Sequence, residues 1–282
     1  MTEIGARISP LLVALVLPIW NEEAGRKCEM NTYSENRAVL RLSGSDVREF
    51  LQGLVTNDVA GLDRGLVYAG VLTPQGKLIA DFFLQAEGAD VLVDAPAEVA
   101  EGLARRLTLY KLRADVAIEM TDLKVSRGTV AAPKGALADP RAETLGWRLI
   151  GPEALEDDGS DWDALHVAAI VPRWGRELGP DAYVLEMGFE RLAGVDFRKG
   201  CYVGQEVTAR MKHKTELRKG LARVEIDGAA PVGTEITAAG KPVGVLGSQA
   251  DGRALAYLRF DRAKGEMKAG DARVSWDGAA PG

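Results

Sequence analysis

The period of apolar and polar positions changes several times along the chain, and those changes mark its elements. Residues 37–42 alternate as a strand, and Val47, Phe50, Leu51 and Leu54 then share one face of a helix that Ser45 is placed to cap. Strand-like runs follow at 66–72, 78–84 and 90–93, with Pro74 and Gly76 marking a turn between the first two. A longer helix is expected over 97–109, where Val99, Leu103 and Leu107 recur every fourth residue. Two strands fit residues 115–130, another fits 146–150, and a short helix at 163–171 stops before Pro172. Beyond Lys219 the spacing shortens to strands at 221–226, 234–237, 242–246, 253–260 and 273–276, separated by Gly-rich turns. Mixed helices and strands followed by strands alone predict an α+β protein with a small C-terminal antiparallel β-barrel.

Two stretches fall outside this pattern. Residues 8–20 are apolar but carry Pro10 and Pro18, are too short to span a bilayer, and run into Asn21, Glu22 and Glu23 without a small-residue cleavage site. They read as a poorly ordered N-terminal extension over 1–30, with Met30 as an alternative start. The acidic residues Glu153, Glu156, Asp157, Asp158, Asp161 and Asp163 read as a solvated connection. The division expected from these patterns is 1–30, a first α+β region 31–110, a second 111–218, and the barrel at 219–277.

Candidate chemistry concentrates at FRKGCYVGQEVTAR, residues 197–210. A glycine-punctuated turn runs into a helix opening at Gln205, Glu206 and Val207, so unpaired N–H groups and two cations, Arg198 and Lys199, surround Cys201. A thiol in that setting ionises more readily than a free one, which makes Cys201 a candidate reactive thiolate with Lys199 as its electrostatic partner; a small buried cysteine is the plain alternative. Tyr202 offers a face for stacking on a flat ring or for core packing. Glu206 suits either a ligand's N–H groups or the helix dipole, and Arg210, one turn later, is spaced to pair with it.

Composition limits the field. The 282 residues suggest about two domains, 46% of them apolar, with a formal net charge of −6 that gives no general attraction to nucleic acid or anionic membranes. Residues 191–219 are the exception: Arg191, Arg198, Lys199, Arg210, Lys212, Lys214, Arg218 and Lys219 outnumber Asp196, Glu206 and Glu216 by five. Such a run suits a solvated face, or an anion such as a polyglutamyl tail, a phosphate or RNA. Cys28 and Cys201 are the only cysteines, which fits a reducing, cytoplasmic setting and excludes a resident cluster needing about four thiolates. His166 and His213 make no zinc pattern, and His166 reads as a packing or surface residue and not as a catalytic base. Gly70, Gly76 and Lys77 have the wrong spacing for a phosphate-binding loop and lack the following Ser or Thr.

KGCYVGQE, with Lys199, Gly200, Cys201, Tyr202, Gly204, Gln205 and Glu206 in place, resembles the signature of the YgfZ family of folate-binding iron–sulfur assembly proteins. FLQGLVTNDV at 50–59, LTPQGK at 72–77 and LYKLRADV at 109–116 are similar to further segments of that family, so the likeness covers about residues 36–276. The resemblance implies a fold like the glycine-cleavage aminomethyltransferase, α+β domains and a barrel in a ring around a folate-binding opening. It also implies tetrahydrofolate or a derivative as cofactor, no metal site, and a role in maturing or repairing iron–sulfur enzymes, including radical enzymes that modify tRNA. Cys201 and Lys199 are the residues it marks for chemistry; Tyr202, Gly204, Gln205, Glu206, Arg210 and Asp81 are those it marks for the folate.

A folate-dependent one-carbon transferase is the competing reading. The transferase has adjacent aspartates after a Gly-Gly turn, and against that pattern this chain has Lys77 for the second glycine and Ala80 for the first aspartate, leaving Asp81. A third reading takes the basic segment as a transient tRNA or RNA contact, for which salt-sensitive binding is the discriminator.

Overall fold

A computed structural model describes residues 36–214 and 217–279. The apolar run at 8–20, Cys28 and Met30, and with them the expected N-terminal extension, lie outside the described residues.

The first layer is a five-stranded antiparallel sheet. Its strands are β1 (Arg37–Ser43), β2 (Val67–Leu72), β3 (Leu78–Glu87), β4 (Asp90–Pro96) and β5 (Ala117–Met120), in the order β2-β3-β4-β1-β5. Leu40 lies opposite Val93 on one side of β1 and Met120 on the other. All of β2 and six consecutive residues of β4 are buried, because the sheet is covered on both faces. That is why VYAGVL and VLVDAP read as apolar runs rather than as alternation. On one face α1 (Val47–Gln52) and α2 (Ala97–Lys111) bring Leu51, Leu103 and Leu107 against Leu40, Val71, Phe82 and Val93. Each such leucine taken out of water contributes about 1.5–3 kcal/mol. On the other face Tyr68, Phe83, Trp162 and Phe189 pack together.

Ser45 does not cap α1. Asp46 precedes the helix without a side-chain cap, and the Ser45 hydroxyl donates instead to Asp115 Oδ2 at 3.0 Å. A cap would have the Ser45 oxygen accept from a backbone N–H of α1; its hydroxyl instead faces the carboxylates of Asp46, next to it, and Asp115, seventy residues away.

A second sheet is formed by β6 (Lys124–Gly128), β7 (Leu137–Ala138) and β8 (Trp147–Gly151), in the order β6-β8-β7. The two residues of β7 are too few for a period to register. The acidic connection that follows is more than a solvated loop. Asp158 Oδ2 accepts from Thr129 N at 2.6 Å, Asp161 caps α3 (Trp162–Ala169) by accepting from Ala164 N at 2.9 Å, and Asp163 pairs with Arg173. His166 on α3 is buried, its Nδ1 3.1 Å from the Val171 carbonyl.

Buried charges join the two sheets. Asp94 on β4 accepts from Arg37 Nε at 2.5 Å and from Arg148 Nη2 on β8 at 2.8 Å. Asp139 holds Arg141 through two hydrogen bonds of 3.0 and 2.7 Å. Arg141 and Arg148 both lie over the ring of Phe83, 4.7 and 4.2 Å from its centroid. Burial pushes the Asp139 carboxyl up, but the guanidiniums of Arg141 and Arg148 outweigh it and hold it below the usual carboxylate range.

After α4 (Gln205–Lys214) come β9 (Lys219–Asp227), β10 (Glu235–Ala238), β11 (Lys241–Ala250), β12 (Arg253–Arg259), β13 (Met267–Ala269) and β14 (Ala272–Ser275). They close into an antiparallel barrel in the order β10-β11-β12-β9-β14-β13. Val224, Ile236, Leu246, Leu258, Met267 and Val274 fill its interior. The three residues of β13, like β7, are not legible as a period.

Candidate functional site

Three of the four recognisable segments meet in space. Gly204 has φ +85°, and a Cβ there would lie 2.5 Å from the Thr73 carbonyl oxygen. Gly76 has φ +75°, and a Cβ there would lie 2.7 Å from Cβ of Val207. The turn of LTPQGK and the start of α4 are therefore in backbone contact that only glycine permits on either side. Gly200 is different: it is exposed, and a Cβ would meet nothing within 4 Å.

FLQGLVTNDV supplies the third wall. Lys199 Nζ donates to the carbonyls of Gln52 and Val55, at 2.7 and 2.5 Å, where α1 ends. The Gln52 carbonyl belongs to the last turn of α1, so a cation is its natural cap, and the Val55 carbonyl lies three residues beyond the helix. Burial lowers the Lys199 pKa from 10.5 to about 8, against the pull of Asp58 and Asp196. Thr56 Oγ1 donates to the Gly194 carbonyl at 2.6 Å and Asn57 Nδ2 to that of Ala193 at 2.6 Å, binding the same segment to the approach of the cysteine loop.

Cys201 stands on this braced loop with its side chain exposed. The hydrogen bonds of Lys199 run to α1 and its ammonium sits 5.0 Å from the centre of the Tyr202 ring, so its visible work is to hold the loop. Tyr202 is half-buried, packed against the cluster of Tyr68 and Phe189, and burial raises its hydroxyl pKa. Gln205 Oε1 accepts from Tyr202 N at 3.1 Å, closing the turn before α4. Glu206 and Arg210 are exposed and pair at 2.7 Å, one turn apart. Asp81 on β3 is 3% exposed and accepts from Tyr68 Oη at 3.1 Å. Among the described residues no three His, Cys, Asp or Glu side chains are grouped to hold a metal ion.

The basic segment is mostly engaged within the molecule. Arg191 donates to the carbonyls of Ala169 and Ile170, Lys199 is committed to α1, Lys212 pairs with Glu190, Arg210 with Glu206, and Lys219 Nζ lies 3.6 Å from Glu186. Arg198, 94% exposed, approaches only Asp196 at 3.7 Å.

A cavity of about 470 Å³ opens where residues 182–186 bridge β3 and the barrel. Leu78 N donates to the Ala182 carbonyl on one side of that bridge, and Leu221 N to the Glu186 carbonyl on the other. Glu186, 8% exposed, accepts from Tyr257 Oη at 2.6 Å, while Lys77, Arg176 and Lys219 supply cations to the lining and Met187 and Leu246 apolar surface. Burial, and then the Glu186 carboxylate, push the Tyr257 hydroxyl well above its ordinary value, so it stays a neutral donor. Asp81, Cys201 and Tyr202 do not line this cavity. Glu186 and Tyr257 were not singled out in the sequence; the signal available was a carboxylate inside the apolar run VLEMGF.

The chain can now be set beside known proteins. Residues 218–279 match the family model for the C-terminal β-barrel domain of CAF17. Over 278 residues the chain is 31% identical to the human iron–sulfur cluster assembly factor IBA57, mitochondrial, covering 83% of this chain and 78% of the relative. The Mycosarcoma maydis homolog of IBA57 is 32% identical over 219 residues, 65% of this chain and 54% of that protein. In structure, the glycine cleavage system aminomethyltransferase T from Bartonella henselae superposes with a TM-score of 0.68 at 13% identity, over 85% of this chain and 82% of the other. The fold is thus that of the aminomethyltransferase, ending in a closed six-stranded barrel. The mitochondrial designation of the human, Mycosarcoma maydis and Mus musculus relatives overturns the cytoplasmic setting expected from cysteine content, a property that mitochondrial proteins share.

Proposed function

Because the chain belongs to the IBA57 family of iron–sulfur cluster assembly factors, we propose that it binds a reduced folate and presents the Cys201 thiol to iron–sulfur client proteins during assembly or repair of their clusters. The observation that carries this reading is the exposure of Cys201 on a loop braced from two sides, by Lys199 on α1 and by Gly204 against Thr73. A thiolate there serves as one transient ligand to iron held otherwise by a partner, since a cluster needs about four ligands and this chain has two cysteines. The cluster is cargo in this scheme. Radical enzymes that modify tRNA are the client class that the YgfZ-like motif suggests.

Tetrahydrofolate fits the cavity beside Glu186. A carboxylate held by a neutral tyrosine accepts hydrogen bonds from the amino and N–H edge of a pterin, Met187 and Leu246 offer apolar surface to its rings, and Lys77 is the lining cation that suits the glutamate carboxylates. When bound, the folate supplies a carrier for one-carbon groups. What this chain contributes is orientation: Tyr257 fixes the Glu186 rotamer, and Lys219 balances its charge. The transferase alternative draws support from the fold alone. Against it stand Ala80 in place of the first aspartate, and Asp81, buried and hydrogen-bonded to Tyr68. RNA contact draws little support from a basic segment whose cations mostly serve internal carbonyls and carboxylates.

Calorimetric titration with tetrahydrofolate tests the ligand, and complementation of iron–sulfur enzyme activity by Cys201→Ser tests the thiol. Absence of binding heat removes the folate; full complementation removes Cys201.

A further inference from the structure

LYKLRADV is the one recognisable segment that the site does not absorb. It ends α2, and it displays two leucines to solvent: Leu109 is 75% exposed and Leu112 is 86% exposed. Leu112 also has φ 46° and ψ −100°, a backbone state that suits glycine and strains a branched side chain.

The display is built rather than frayed. Asp115 Oδ2 accepts from Ser45 N and Oγ at 3.1 and 3.0 Å, and Asp46 Oδ2 accepts from Asp115 N at 2.9 Å. Lys111 Nζ donates to the Val116 carbonyl at 2.7 Å. Gly44 lies so close that a Cβ there would sit 2.1 Å from the Asp115 carbonyl oxygen. This clamp fixes the 112–116 loop in the one conformation that turns Leu112 outward. Strain at a position that makes no packing contribution points to an external use.

Charge identifies the occupant. From residue 102 to 114 the chain has Arg105, Arg106, Lys111 and Arg113 and no carboxylate, although the whole protein carries a net −6. Arg105 approaches Glu101 at 3.5 Å and Lys111 is committed to Val116, which leaves Arg106 and Arg113 without an ion pair among the described residues. Arg106 and Leu109 are three residues apart on α2, and Arg113 adjoins Leu112, so each leucine has a cation beside it. We propose that the end of α2 is a docking surface that inserts Leu109 and Leu112 into an apolar groove of a protein partner whose rim carries carboxylates opposite Arg106 and Arg113. An anionic bilayer fits less well, because the exposed Asp115 carboxylate stands in the same loop as Leu112 and Arg113, and a flat anionic surface would meet it together with the cations, whereas a groove can set its carboxylates opposite the cations alone. The inference stands on the far end of α2 and is independent of the folate and thiol readings.

A photoreactive benzoylphenylalanine in place of Thr108, in the full chain expressed in its own cells, tests it. The expected result is one discrete protein adduct whose cross-linked peptide carries Asp or Glu beside apolar residues. Arg106→Glu with Arg113→Glu should lower its yield at least about tenfold, with recovery when the partner's carboxylates are changed to lysine. Leu112→Gly should abolish the adduct yet leave the melting temperature unchanged or higher, since glycine relieves the positive φ. An adduct to lipid alone, flotation with phosphatidylcholine–phosphatidylserine vesicles that depends on Leu112, no protein adduct, or an adduct indifferent to charge reversal would each overturn the proposal.

Discussion

The ammonium of Lys199 closes the end of α1 by donating to the Gln52 carbonyl at 2.7 Å, across 147 residues of sequence. That contact makes Lys199, marked in the sequence for chemistry, also a peg that fixes the cysteine loop. Lys199→Met keeps the apolar stem and removes the peg, leaving two carbonyls short of a donor. It should cost about 1–3 kcal/mol at neutral pH, roughly 3–10 °C in Tm, measured by thermal melts.

The same residue gives a pH signature. Burial holds the folded-state pKa at about 8, against 10.5 for a free lysine. Below pH 8 both states hold the proton; between about 8 and 10.5 the unfolded chain holds more of it, so this group makes stability rise with pH through that window. The Tm advantage of wild type over Lys199→Met should therefore widen from pH 7.5 to 10. A constant gap would mean that the ammonium titrates normally where it sits.

Gly204→Ala should destabilise by about 2–4 kcal/mol, because the new methyl meets the Thr73 carbonyl and the backbone keeps a positive φ. Gly200→Ala, three residues after Phe197 in the same motif, should stay within about 0.5 kcal/mol, since its surroundings are open. Equal effects in urea melts would contradict the packing of LTPQGK against α4.

These two glycines also mark how far the sequence could be read. Alternation and helical spacing located β1, α2 and most of the barrel, because one buried face imposes a period on the chain. The motif showed that both glycines mattered but not which was sterically required, since that depends on Thr73, more than a hundred residues away. Ser45 misled for a similar reason: a local N–H of α1 was the expected partner, and the hydroxyl faces Asp46 and the distant Asp115 instead. The Glu186–Tyr257 pair left only one mark, a carboxylate inside the apolar run VLEMGF, because Tyr257 lies 71 residues away and meets it only when the barrel closes.

Cys201→Ser should melt within about 1 °C of wild type, as expected for an exposed side chain. It should lose the fast-reacting thiol in a native maleimide titration and fail to support iron–sulfur enzyme activity. Loss of the fast thiol with full activity retained would confine Cys201 to a bystander role.

Glu186→Gln should weaken tetrahydrofolate binding about 10–100-fold in calorimetry by removing a charged acceptor. Tyr257→Phe frees the carboxylate rotamer and should weaken it by less, about 3–10-fold. Unchanged affinity in both variants would move the ligand out of this cavity.

Arg148→Met should cost about 3–5 kcal/mol, because it strips Asp94 of one of its two buried guanidiniums and uncovers a face of Phe83. Chemical denaturation reads the loss directly. A neutral outcome would mean that Arg37 alone satisfies Asp94.

The meeting of Gly76 and Gly204 sets the mechanics of everything around the sulfur. Two backbones in van der Waals contact have little play between them, so the loop that carries the thiol is anchored where it enters α4 instead of hanging free at both ends. Under the proposed role of Cys201, a client protein would meet a loop already held on its Gly204 side, and the approach would fall to the client more than to this chain.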